Sequence, residues 1–122
     1  MDNHRAAELL DHEEERLSGL RHTTELESLA AGSEMDSISE IADYDQHPGD
    51  VATETFEREK RLSILETVEA GLADVAAARA RLKAGTYGIC EACGRAIGDE
   101  RLAAQPATRF CLEDQEKAEI RH

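Results

Sequence analysis

Cys90-Glu91-Ala92-Cys93, then seventeen residues, then Cys111-Leu112-Glu113-Asp114: the reading of the whole chain turns on this stretch. The spacing is that of two metal-binding knuckles, C-x2-C-x17-C-x2-D, with an aspartate where a four-cysteine site carries its last thiol. Two close pairs joined by a loop can converge on one tetrahedral ion. Zinc accepts a carboxylate oxygen, so Cys90, Cys93, Cys111 and Asp114 form a chemically complete donor set. Thiolate is the softer donor and holds zinc better than oxygen, which leaves the fourth position open to a neighbouring group as well. Glu113 is disfavoured there by direction and His122 by distance. Two other readings of the thiols stand beside zinc. In one, the fold survives without metal and the thiols are buried or free. In the other, Cys90 and Cys93 form a redox pair, although the strand–helix context of a thioredoxin-like motif is missing.

Around the first pair, Tyr87-Gly88-Ile89 leads in and Gly94 follows, where a tight turn needs a residue without Cβ. Residues 95–110 read as loop or short strand, and Cys111 opens a final helix through Arg121. Upstream, a helix is expected from Asp50 or Val51 to Ala84. Asp50 suits its N-cap, and Gly85 suits its end. Leu65, Val68, Leu72, Val75 and Leu82 follow one helical seam, which Arg79 interrupts. Residues 2–30 read as another helix, with Leu9, Leu10, Leu17, Leu20, Leu26 and Leu29 as its stripe and Gly32 as its stop. Residues 33–50 show no clear period, and His47-Pro48-Gly49-Asp50 is a turn signal.

Neither helix can bury its stripe alone. The expected fold is all-α dominated: a long antiparallel helical hairpin, or coiled coil, with a small zinc-finger-like module and terminal helix. The expected domains are 1–85, with an acidic tip around 33–50, and 86–122.

Composition agrees with paired helices. The chain has 122 residues, two Phe, two Tyr and no Trp, while charged residues reach 34%. A thick globular core is excluded by so few large side chains. With no apolar run of membrane length and no export signal, three cysteines in metal-ligand spacing suggest a reducing cytoplasm. Net charge is -13, of which -11 lies in residues 1–85. Such a balance excludes direct DNA binding, which needs clustered Lys and Arg, and favours a partner with a basic surface. Residues 33–59 hold nine acidic residues and one basic residue, Arg58. An acidic tip can enter a basic cleft or approach a site holding a cation.

These parts resemble the DksA/TraR family. The finger run carries the likeness: Tyr87-Gly88-Ile89-Cys90-Glu91-Ala92-Cys93-Gly94, Ile97-Gly98, Arg101-Leu102, Pro106, Phe110-Cys111 and Ala118-Glu119-Ile120-Arg121. Tyr44-Asp45-Gln46-His47-Pro48-Gly49-Asp50, with Thr53-Glu54 and Phe56-Glu57-Arg58-Glu59-Lys60, is similar to the general-stress-protein branch. The resemblance implies a regulator that binds bacterial RNA polymerase and inserts its coiled-coil tip into the secondary channel. The family tip reads D-x-x-D-x-A. Here Asp50 and Ala52 match, His47 replaces the first aspartate, and Asp45 stands close by. Asp74 and Gln115 stand where well-known members carry basic residues for ppGpp, while Arg101 is kept, so ppGpp synergy is not expected. The alternative is a stress-related interaction module that docks on another partner, with a degenerate metal site. An enzyme is not expected, because the sequence offers no separate general base or substrate cleft.

Overall fold

A computed structural model describes the backbone of residues 1–41 and 48–120, and side chains outside 32–52. Asp45 and His47 lie outside the described residues; Asp50 and Ala52 lie on a described backbone, but their side chains do not. Among the described residues four helices follow in order: α1 (Asn3–Ile41), α2 (Pro48–Ala84), α3 (Asp99–Ala104) and α4 (Leu112–Ile120). The architecture is the all-α hairpin with a finger module. Among the described residues, no helix is long and apolar enough to cross a membrane.

Two compact units are present. The first joins Met1–Arg16 to Ala70–His122, and the second is Leu17–Glu69. In the first, Arg79 reaches Asp11 (2.7 Å) and Glu14 (2.5 Å) across the helix pair. In the second, Arg21 reaches Glu69 (2.7 Å). A step along α1 from Asp11 to Arg21 is matched by an equal step back along α2 from Arg79 to Glu69, the mark of antiparallel pairing. The interruption at Arg79 is thereby resolved. Its guanidinium leaves the seam and joins two carboxylates at the margin. Exposed pairs of this kind contribute roughly 0–1 kcal/mol each, so they set register more than stability.

The seam itself is narrower than the leucine content suggests. Ala6, Leu10, Leu17 and Thr24 are buried on α1, and Val68, Val75 and Ala78 on α2. From Leu10 to Leu17 to Thr24 the spacing is a strict heptad, which keeps one edge of the helix on its partner. The expected six-leucine stripe is corrected accordingly. Leu20, Leu26 and Leu29 are exposed, at 39%, 52% and 69%. Leu26 lies nine residues past Leu17, half a revolution away at 100° per residue, so it cannot share that edge. Thr24 takes the heptad position instead.

Helix ends also differ from expectation. Asp2 caps α1, its carboxylate accepting the Arg5 amide at 2.7 Å. Instead of stopping at Gly32, α1 continues to Ile41. A single glycine costs about 1 kcal/mol in a helix, too little to stop one flanked by good helix formers. α2 starts at Pro48, so Asp50 sits in its first turn and not at its cap. Proline suits a first helical position because its φ is preset and its missing N–H is not needed there. At the other end, Gly85 adopts φ +80°. The amide of Gly85 bonds to Leu82 O and that of Thr86 to Arg81 O, closing the helix as the glycine predicts.

The corrected seam makes a measurable prediction. Val68→Ala should destabilise the helix pair by about 2 kcal/mol, and Leu26→Ala by well under 1 kcal/mol. Equal losses for the two variants in thermal melts followed by far-UV circular dichroism would return Leu26 to the seam.

Candidate metal centre

The finger is built by short-range turns that aim sulfur inward. Gly88 and Gly94 adopt φ +80° and +72°, a region that favours glycine. Between them the chain doubles back: Ile89 pairs with Ala96 in an isolated antiparallel bridge, and the Cys90 amide bonds to Arg95 O at 2.8 Å. The Gly94 amide bonds to Cys90 O at 2.9 Å, closing the first knuckle. The Glu91 amide reaches Arg109 O at 2.9 Å, which draws the second pair beside the first.

Within the expected loop 95–110 the structure contains α3, a short helix that sequence reading missed. Its signals were local: Asp99 and Glu100 in the first turn and Pro106 just beyond the end. Leu102 of α3 is buried with Cys90 and Ile97, and Tyr87, Phe110, Cys111 and Met1 pack around them. Arg101 holds the following loop, donating to Phe110 O (3.0 Å) and Thr108 Oγ1 (3.1 Å). Tyr87 donates its hydroxyl to Pro106 O at 2.7 Å; burial raises its pKa.

The four predicted donors meet. One ligand atom from each of Cys90, Cys93, Cys111 and Asp114 lies within 4.8 Å of every other. Cys93 Sγ and Cys111 Sγ are 4.0 Å apart. Around a tetrahedral zinc with Zn–S near 2.3 Å, the sulfur–sulfur edge is about 3.8 Å, so this separation fits. Asp114 Oδ2 accepts hydrogen bonds from the Cys90 and Cys111 thiols, each at 3.1 Å. It therefore occupies the side of the cluster that the fourth donor must fill. Three soft donors and one carboxylate suit zinc, and the set is positioned to bind one ion. Bound there, zinc supplies cross-linking of the two knuckles. No disulfide joins the three cysteines.

Protonation follows the same geometry. Hydrogen bonds from Cys90, then Cys111 and Cys93, hold Asp114 down at about 2. At Cys90 burial pushes upward, but the amides of Cys111, Cys93 and Ala92 leave the thiol lowered overall. At Cys93 the Arg95 amide pulls down, yet Asp114, burial and the two neighbouring thiols push it up to about 11. Cys111 is also raised, by the Asp114 carboxylate, burial and Cys90, against the lowering effect of the Asp114 amide.

Beside the finger, in the same unit, lies an open groove of about 900 Å³ lined by Glu13, Arg16, Asp74, Arg101, Arg109 and Gln115 among others. Its guanidinium groups are engaged. Arg16 is bound to Glu13, Arg109 to Asp74 at 3.2 Å, and Arg101 to the loop as described. The carboxylates of Glu116 and Glu119 also line it.

If the centre holds the finger together, Cys90→Ser should abolish metal retention and unfold residues 86–120, while most far-UV helical signal survives. Chelation of the wild type should have the same effect. A melting profile unmoved by chelator would mean that the finger stands without metal.

Comparison with known proteins follows the geometry. Residues 85–119 match the model of the prokaryotic dksA/traR C4-type zinc finger. The chain is 34% identical over 112 residues to general stress protein 16O of Bacillus subtilis, covering 91% of this chain and 64% of that protein. It is 30% identical over 88 residues to the RNA polymerase-binding transcription factor DksA of Caulobacter vibrioides, covering 72% and 57%. Among solved structures, transcription factor DksA2 from Pseudomonas aeruginosa is similar, with a TM-score of 0.50, 26% identity, and 93% and 84% of the two chains covered. The chain spans from a third to just under two thirds of the length of the curated relatives it matches first. With Asp114 in the place of the last cysteine, residues 85–119 are a finger of the dksA/traR type, and the chain is similar to general stress protein 16O and to DksA2 over most of its own length.

Proposed function

We propose that the chain is a cytoplasmic transcription regulator that binds RNA polymerase directly and acts through the acidic segment around residues 33–50, entered into the secondary channel under stress. The observation that carries this reading is the joining of a dksA/traR-type finger to a pair of long antiparallel helices, in a chain 30% identical over 88 residues to a relative named for RNA polymerase binding. The physical argument is reach. At 1.5 Å per residue, the 37 residues of α2 extend roughly 55 Å, far enough to carry a short acidic segment into a narrow channel. The finger, rigidified by metal, anchors one end of that helix.

In this reading Asp50 and Ala52 act at the tip, with Asp45 and His47 beside them. Asp50, in the first turn of α2, carries charge toward the polymerase's catalytic Mg²⁺; carboxylate is the natural ligand and field source for such an ion. His47 puts an imidazole where the family tip has its first aspartate, so a carboxylate is missing there. DNA is not the partner, since the acidic surface repels phosphate. Nor does the groove beside the finger favour ppGpp. Its arginines are already paired, and Asp74 with Glu116 and Glu119 opposes a polyphosphate.

A second reading has its own observation. Leu26, Leu29, Phe56 and Leu62 are all more than half exposed in the unit Leu17–Glu69. These side chains suit a different protein partner, as in the interaction-module alternative.

In multi-round transcription with the cognate polymerase, wild-type protein should change transcript yield. Asp50→Asn should remove at least tenfold of that effect while binding core enzyme with unchanged affinity. Full activity of Asp50→Asn would take this residue out of the mechanism. Absence of binding to core enzyme would favour the second reading.

A further inference from the structure

The four donors of the metal centre are not held alike. Cys90 and Cys111 sit in turns closed by their own main chain: the Cys90 amide bonds to Arg95 O at 2.8 Å, the Gly94 amide to Cys90 O at 2.9 Å and the Gln115 amide to Cys111 O at 2.9 Å. Cys90 is also 1% exposed, within the small apolar cluster of the finger.

Asp114 is held differently. Its carboxylate accepts hydrogen bonds from the Cys90 and Cys111 thiols, each at 3.1 Å. Those thiols donate to it while protonated; as thiolates around a metal they donate nothing. The side chain stands in the first turn of α4, half-buried, with exposed Glu113 before it and half-buried Gln115 after. Cys93, next to it in the cluster, is exposed. The centre therefore combines three soft donors, the first of them enclosed, with one half-buried hard donor beside the exposed thiol.

We propose that Asp114 is a displaceable ligand, and that with a metal held by the three cysteines this fourth position accepts an external thiolate. In the exchange the metal–oxygen bond to Asp114 breaks and a metal–sulfur bond forms. The incoming thiol loses its proton to solvent, the carboxylate is released toward water and Lys117, and no electron is transferred. Thiolate wins because zinc-type ions prefer soft sulfur to carboxylate oxygen, and because the freed carboxylate recovers full hydration. A small free thiol and a cysteine of a partner protein present the same chemistry. The inference rests on the metal centre and is independent of the polymerase reading.

The test uses the full chain loaded with Co²⁺ under anaerobic conditions, read by its sulfur-to-cobalt charge-transfer absorbance. One arm adds 2-mercaptoethanol and the other a folded protein with a single surface cysteine. Wild type should gain about one third in band intensity, the step from three thiolates to four, saturably. Asp114→Cys should begin at that level and not respond, and Asp114→Ala should respond at lower thiol concentration than wild type. A response to the small thiol alone identifies that source, and a response to both shows that a partner's cysteine also reaches the site. A wild-type band unmoved by either thiol, or one lost through release of Co²⁺, overturns the proposal. Failure of wild type to bind Co²⁺ overturns it together with the metal centre, while the transcription assay still judges the polymerase reading.

Discussion

Cys90 is at once a metal donor and the most enclosed side chain of the finger, and the rest of that module depends on this double placement. The apolar cluster around it contains only two other buried residues, Ile97 and Leu102. So small an apolar cluster is ordinarily completed by metals, disulfides or a partner. The same knuckle that buries Cys90 lets its sulfur meet Cys93, Cys111 and Asp114, so the missing stability and the metal centre are one feature. Helix α3 and the arginine-braced loop before Cys111 close that arrangement from the other side.

In the helix pair the constraint is different. Mean hydropathy is -0.56, and the buried seam has only small and medium side chains. Ala6, Thr24 and Ala78 allow close approach but bury little area. Ion pairs at Asp11, Glu14 and Arg79, and at Arg21 and Glu69, add direction where the seam adds little specificity. Most of the negative charge also lies on these helices.

Asp114 gives the cluster one hard donor among three soft ones. A carboxylate keeps the charge of a thiolate but is the weaker donor to a zinc-type ion. In the groove beside the finger the arginines are already engaged, Arg109 with Asp74 and Arg16 with Glu13.

Much of this was legible in the chain itself. Ligand spacing, the glycine at the end of α2 and the helical period of α1 and α2 are set by residues within a few turns of one another, where covalent geometry and local hydrogen bonds decide. Sequence also offered Asp114 as fourth donor. Only tertiary structure decided that its oxygen lies between Cys90 and Cys111, because that meeting depends on how α4 returns to the first knuckle. Likewise the leucines of α1 could not be sorted by type: Leu17 is buried and Leu26 is exposed because burial depends on the partner's direction. Arg79 looked like a break in a seam until Asp11 and Glu14, more than sixty residues earlier, stood opposite it. Local chemistry is written in neighbouring residues, whereas burial and coordination are properties of pairs that the chain brings together only on folding.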